Sequence, residues 1–204
     1  MKVNIKRARY QQAMDTINAQ ESDAISFGLA LGCHFCRDLR RFGKKRLNAL
    51  IRGTYWELEQ HFRNYRANED EQFSMENVPI LYTGLRNQVK ALDVDVETIE
   101  SSFPFAESFK TWRNSRDVSQ RKTRYMLLQD REKMFRSIWY GMILYVWRTY
   151  SWGRDRLTRL YRYIREQYAA VFNDYLECRA DKDQIVRNRI KTTVSGIESL
   201  GVTF

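Results

Sequence analysis

The chain has 204 residues, enough to bury a substantial core without disulfide or metal staples and to form one or two domains. Hydrophobic residues make up 43% and aromatic residues 14%, which excludes a disordered chain, while 29% charged residues and a mean hydropathy of -0.62 exclude an integral membrane protein. The 35 Lys and Arg residues exceed the 25 Asp and Glu residues, and the resulting formal charge of +10 attracts polyanions at neutral pH.

Turn-forming residues are scarce, since the chain contains two prolines and nine glycines. That number is too small for a sandwich or barrel of many short strands, so we expect an all-α fold. The longest uncharged apolar stretch runs from Ser137 to Trp147 and is well short of the roughly 20 residues that cross a bilayer. It predicts a buried helix, and we expect no membrane as a partner.

The sequence contains an internal duplication. A shift of 110 positions places FGKKRLNALI, residues 42–51, on WGRDRLTRLY, residues 152–161, and a shift of 108 aligns the segments that follow. Such self-similarity is typical of tandem units. We predict a first helical unit, a packed connector and a second, related unit, at residues 1–95, 96–114 and 115–204.

Each unit is predicted to fold as a long helix, a glycine break, a second long helix and a short terminal helix. In the first helix the apolar stripe follows the 3.6-residue spacing through Phe27, Leu31, Phe35 and Leu39. Gly43 and its equivalent Gly153 would be left-handed caps of the first helices, because glycine reaches positive φ without steric cost. Each helix pair would then close as an antiparallel hairpin.

Charge is unevenly distributed along the chain. Residues 110–166 contain 15 Lys and Arg and 5 Asp and Glu, whereas residues 57–100 contain 10 acids and 4 bases. Arg159 and Arg162 lie one helical turn apart and off the apolar stripe, so we expect them to project to solvent among tyrosines. Arginines beside aromatic rings suit phosphate contacts and base stacking. The alternative is a solvated helix face with local pairs such as Arg162 with Glu166.

The segment after each glycine permits a second interpretation. FGKKRLNALI resembles the second half of a helix-hairpin-helix motif, in which a glycine-rich turn opens a helix whose free amides bind a backbone phosphate. Basic residues follow both glycines: Lys44, Lys45, Arg46, Arg154 and Arg156. The second glycine of such motifs is replaced by Arg41 and Ser151, and the alternative is a plain αα-turn followed by basic residues.

FGKKRL follows a long apolar helix and precedes an amphipathic helix and a terminal L-[DG]-V. In this it resembles small helical proteins encoded by phages and prophages of Gram-positive bacteria, which are uncharacterised reading frames with an FGxKRL core. The resemblance covers residues 24–51 well, residues 152–160 less well and the connector not at all. It implies a mobile-element origin in a bacterial host. Because many such phage proteins counter host defences, it also implies an inhibitor of a nucleoprotein defence effector, such as an anti-CRISPR.

Cys33 and Cys36 form a C-x-x-C motif, to which Cys178 and His61 could add ligands for zinc. The duplication argues against zinc, because the equivalent positions hold aliphatic residues and a free cysteine behaves as a small hydrophobe. We therefore predict core residues, with no metal and no cofactor. An odd number of cysteines without an apolar signal segment after Met1 fits a reducing compartment, the cytoplasm.

Sequence motifs of catalysis are sparse. His34 and His61 are the only histidines, and neither has the spacing of a metal or hydrolase motif. The carboxylates cluster at residues 68–72, which have the composition of a solvated loop. We predict a protein that is not an enzyme.

Together these patterns predict a basic protein that binds nucleic acid or a nucleoprotein complex through an Arg/Tyr-rich helical surface. The candidate nucleic-acid-binding residues are Lys44, Lys45, Arg46, Arg154, Arg156, Arg159 and Arg162. One alternative is a phage-encoded inhibitor that docks on a host defence protein with tyrosines and arginines as hot spots. Another is a particle assembly protein, a homo-oligomer that buries aromatic residues at its interface.

Overall fold

The computed structural model describes residues 25–65, 78–102, 118–177 and 182–204, and the side chains of residues 25–64, 78–102, 133–170 and 188–204. Within these ranges the chain forms helices and no strands, which confirms the all-α prediction. In chain order the helices are α1 (25–40), α2 (Lys44–Tyr65), α3 (Val78–Lys90), α4 (Val96–Ser102), α5 (Val118–Tyr150), α6 (Arg154–Glu177) and α7 (Lys182–Glu198). None of these helices combines the length and hydropathy that a membrane crossing requires.

Helices α1 and α5 run side by side in the same direction within the core. Gly28 lies against Trp139 and Gly32 lies against Met142, so the contacts advance together along both helices. A Cβ atom on Gly32 would lie 2.0 Å from the sulfur of Met142, so the absence of a side chain at Gly32 makes room for the end of the methionine. Both helices end at one edge of the molecule.

The second helix of each pair packs against the first helix of the other pair. Helix α2 lies on α5, where Gly53 touches the ring of Tyr145. Helix α6 lies on α1, where the rings of Phe35 and Tyr163 have their centroids 5.4 Å apart. Residues of both predicted units consequently belong to one hydrophobic core.

The helices after each pair also cross to the other half of the chain. Helix α3 packs on α5, and α4 packs on α6. Helix α7 contacts α1 through His34, whose Nε2 lies 3.0 Å from the carbonyl oxygen of Thr193. The chain then returns to α2, where the amide of Thr203 donates a hydrogen bond to Oδ1 of Asn48 at 3.3 Å. The two halves are therefore interlocked by their later segments.

The two breaks, at residues 41–43 and 151–153, have the same backbone geometry. The prediction that their glycines are left-handed caps is wrong. The left-handed residues are Arg41, with φ of 53°, and Ser151, with φ of 51°. Each directly follows the last helical residue, whereas the glycines stand two positions further along. The carbonyls of Gly43 and Gly153 accept hydrogen bonds from the amides four residues on, at 3.1 and 3.2 Å. The glycines are thus N-caps of α2 and α6, a position that glycine suits.

Most positions of the predicted α1 stripe are buried, but Leu39 is 58% exposed. Leu39 lies in the last turn of α1. The residue that enters the core at this level is Phe42, which follows the end of the helix. The predicted buried helix at residues 137–147 is the buried part of α5. Residues 103–114 of the predicted connector, the acidic residues 68–72 and Cys178 lie outside the described residues.

We expect Gly53→Ala to lower the free energy of unfolding by about 1–3 kcal/mol. The new Cβ would lie 2.0 Å from the ring of Tyr145, and moving that ring costs more than the gain of about 1 kcal/mol in helix propensity. Urea unfolding followed by circular dichroism measures the change.

Gly196→Ala is the matched control, because it is also a helical glycine but its Cβ would lie 3.4 Å from the nearest atom, in the ring of His34. This variant should be neutral or more stable than the parent chain. Equal effects of the two substitutions would contradict the role assigned to Gly53.

Candidate nucleic-acid interface

Two long helices begin at the same edge of the molecule. Helix α2 starts at Lys44 and α6 starts at Arg154, each two residues after an aromatic residue of its break. These aromatic residues, Phe42 and Trp152, are both buried, and their rings pack edge to face with centroids 6.0 Å apart. The contact holds the two helix N-termini beside each other.

Neighbouring side chains strengthen this contact. The ring of Tyr150 packs edge to face on Phe42, with centroids 5.0 Å apart. The guanidinium carbon of Arg40 lies 5.7 Å from the ring centroid of Trp152. We call Arg40, Phe42, Tyr150 and Trp152 the break cluster. Because each break is held by residues of the other, both N-termini depend on the same cluster.

The predicted binding residues surround these N-termini and are exposed. They are Lys44, Lys45, Arg46, Arg154, Arg156, Arg159 and Arg162. None of them forms an ion pair with an acidic side chain in the described part of the chain. We call this group the basic edge.

The acidic residue Asp95 lies near the basic edge, and the charges of that edge affect its pKa. Hydrogen bonds to Thr98, followed by the positive charges of Arg154 and Arg162, lower the pKa of Asp95. This carboxylate is fully exposed, so solvent screens its charge. Asp95 therefore weakens the positive field at the edge without being held in an ion pair there.

The helix starts add partial charge to the basic edge. The first turn of α2 contains no acidic residue, and the amides of Lys44 and Lys45 have no acceptor among the described residues. A Cβ atom on Gly43 or Gly153 would meet nothing within 4 Å, so the space before both helices is open. Unpaired amides and the helix dipole are both positive at an N-terminus. The arrangement is suited to binding anions.

The tyrosines of α6 do not share the surface of its arginines, so the predicted Arg/Tyr-rich surface is wrong in this respect. Tyr161 and Tyr168 are buried, and Tyr163 is half-buried against Phe35. The reason is helical spacing, since Tyr161 and Tyr168 lie three and four residues from Ile164 and belong to the same buried face.

Exposed aromatic residues lie on α2 instead. Tyr55 and Trp56 are 43% and 49% exposed, and Arg52 lies exposed one turn before Trp56. Sequence analysis missed this arginine and both rings. The duplication contained the signal for Arg52, because a shift of 110 places it on Arg162, one of the predicted binding residues.

Cys33 and Cys36 are buried in the core. Burial raises the pKa of Cys33 to about 12 and also raises the pKa of Cys36, so both thiols are protonated at neutral pH. Among the described side chains, no three histidine, cysteine or carboxylate groups lie together as a metal site.

Glu100 of α4 joins side chains from α3, α5 and α6. Its carboxylate accepts hydrogen bonds from the hydroxyl groups of Tyr140 and Tyr161, the latter at 2.9 Å. It also pairs with Arg136 at 3.1 Å and with Arg86 at 3.5 Å. Burial raises the pKa of both tyrosines, and the negative charge of Glu100 raises it further. Because every partner stabilises the carboxylate, this cluster acts as an internal anchor.

A second buried cluster joins α2, α3 and α5. Glu57 pairs with Arg148 at 3.2 Å, and Nε2 of His61 lies 3.0 Å from the side-chain oxygen of Gln88. Burial raises the pKa of Glu57, although Arg148 opposes this shift. Burial also lowers the pKa of His61. Both shifts favour the neutral forms in the folded protein.

The polar groups described above thus include two internally paired clusters and one exposed basic edge. The first kind fixes the helices, and the second is accessible to a ligand. No family model, curated protein or solved structure matches the chain.

We expect His61 to make the protein less stable as the pH falls below 6.5, the ordinary pKa of histidine. Because burial lowers the pKa of His61 in the folded state, the unfolded chain binds the proton first. The free energy of unfolding then falls by at most about 1.4 kcal/mol per pH unit through this group.

Urea unfolding of the parent chain and of His61→Gln between about pH 7 and pH 5 tests this expectation. The parent should lose stability relative to the variant as the pH falls. A difference in unfolding free energy that does not change with pH would count against it.

Proposed function

We propose that the protein binds the phosphate backbone of nucleic acid, free or within a nucleoprotein complex, at the basic edge. The observation that carries this proposal is the Phe42–Trp152 contact, which brings two helix N-termini and their basic residues together. The open space before Gly43 and Gly153 gives a phosphate access to the first amides of each helix.

Binding at this edge would be mostly electrostatic. The chain has a formal charge of +10, and the exposed bases of the edge are free of ion pairs within the described residues. Phosphate contacts position a protein on nucleic acid but carry no sequence information. We therefore expect weak sequence specificity and a steep dependence on salt.

We propose binding without catalysis. The buried carboxylates of Glu57 and Glu100 are paired with arginines, and neither cluster includes a residue of the basic edge. General acid–base chemistry requires a titratable group within hydrogen-bond reach of the substrate. A phosphate at the N-terminus of α2 would meet amides and basic side chains instead, and at the N-terminus of α6 the exposed carboxylate of Asp155 lies among the arginines.

Docking on a host defence complex is a second candidate function, and one observation favours it. Leu39 is 58% exposed in the last turn of α1, directly before the break cluster. An exposed apolar residue beside arginines is suited to a protein interface. We propose a mobile-element origin and a place in the bacterial cytoplasm for the same protein, in keeping with the FGKKRL resemblance.

Reversing charge on one side of the edge tests the proposed function. We expect Arg156→Glu combined with Arg159→Glu and Arg162→Glu to abolish binding of a fluorescently labelled DNA, duplex or single-stranded, at moderate salt. In the parent chain, log affinity should fall with log salt by roughly 0.9 for each duplex phosphate contacted. Fluorescence anisotropy measures affinity, and circular dichroism verifies that helix content is kept.

A second triple variant controls for net charge. Arg63, Lys90 and Lys191 are exposed bases outside the basic edge, and their change to Glu alters the total charge by the same amount. This variant should retain most of the affinity. Equal losses in both triple variants would show that net charge alone attracts the DNA, and unchanged binding by the first variant would reject the site.

A further inference from the structure

The outward side of α2 carries two aromatic rings next to unpaired positive charge. Tyr55 and Trp56 are about half exposed, and Lys45 and Arg52 are exposed on the same side of the helix. Neither base has an ion-pair partner among the residues that the structure describes. We call Lys45, Arg52, Tyr55 and Trp56 the α2 outer face.

Helix geometry explains why these rings point away from the core. Helix α2 contacts α5 through Gly53, Thr54 and Leu58. Successive residues of a helix are rotated by about 100°, so Tyr55 and Trp56 lie more than a quarter turn from the centre of that contact, one on each side of it. Large aromatic residues at such positions contribute less to the core than buried ones, and the exposed half of each side chain is available to a ligand.

The α2 outer face continues directly from the basic edge. Lys45 lies in the first turn of α2, Arg52 follows two turns later, and Trp56 one turn after that. The rise of about 1.5 Å per residue puts Trp56 about 16 Å along the helix from Lys45. A nucleic-acid backbone held at the N-terminus of α2 can therefore extend along this face to the rings.

Charge on this face is complementary to phosphate. The acidic residue exposed next along the helix is Glu59, which forms an ion pair with Arg63. Glu57, the other acid of α2, is buried and paired with Arg148. The positive charges of Lys45 and Arg52 are thus not cancelled on the helix itself, and the face attracts a polyanion.

We propose that Tyr55 and Trp56 stack on unpaired bases, so that the protein binds single-stranded nucleic acid in preference to duplex. This inference rests on the proposed function, since the basic edge supplies the backbone contacts. Within a duplex the base faces are covered by neighbouring base pairs, whereas a single strand offers them to aromatic side chains. In α6 the equivalent positions hold Arg165 and Glu166, so stacking is assigned to α2.

Matched single-stranded and duplex ligands test the inference. We expect the parent chain to bind a labelled oligothymidylate of about 20 nucleotides more tightly than a duplex of the same length, measured by fluorescence anisotropy at fixed salt. Trp56→Ala should weaken binding of the single strand by roughly 5- to 100-fold and leave duplex binding unchanged. Trp56→Phe keeps a ring and should retain most of the affinity.

Trp147→Ala is the matched control, because Trp147 is 40% exposed on α5 and lies outside the α2 outer face. It should bind both ligands as the parent does. The inference is overturned if Trp56→Ala weakens neither ligand, weakens both equally, or affects only the capture of a protein partner. If the parent chain binds both ligands and Trp56→Ala has no effect, the inference fails and the proposed function stands. If the parent chain binds neither ligand, the proposed function and the inference are both rejected.

Discussion

The contact between Phe42 and Trp152 determines where the basic edge forms. Each ring directly precedes the N-cap of a long helix, so one buried edge-to-face contact fixes the starting points of α2 and α6 together. Such a ring pair contributes about 0.5–1.5 kcal/mol beyond the area it buries. Its larger consequence is geometric, because the basic residues of two distant segments then lie at one edge of the molecule.

The interlocked packing shows how two similar sequences can fill equivalent positions differently. In one half Gly53 makes room for the ring of Tyr145. At the equivalent positions of the other half, the rings of Tyr163 and Phe35 pack against each other in a tilted arrangement. The matched breaks at Arg41 and Ser151 are what the predicted duplication leads us to expect, although the duplication itself stays a prediction. Each half depends on the other for its core, so neither is expected to fold alone.

Sequence periodicity predicted the helices well because burial repeats every 3.6 residues, as at Leu157, Leu160 and Ile164. Periodicity did not predict interactions between residues that are distant in sequence. The buried pair of Glu57 and Arg148 spans two helices, and no local pattern reveals it. The cap prediction failed because composition marks a break without specifying which of its residues takes positive φ. Arg159 and Arg162 were predicted as exposed because they lie off the stripe, and the other bases of the edge were singled out because they follow the two glycines.

The acid-rich segment at residues 57–100 bears on whether the basic edge stays available. Its acids could neutralise the edge, but in the described part of that segment several of them are paired with other side chains. Glu100 is held by arginines and tyrosines, Glu57 by Arg148, and Glu97 by Lys90. A carboxylate in an internal pair contributes little to the field at a distance, because the opposite charge beside it cancels most of its effect. The positive surface therefore results from where the acids are paired as well as from the excess of bases.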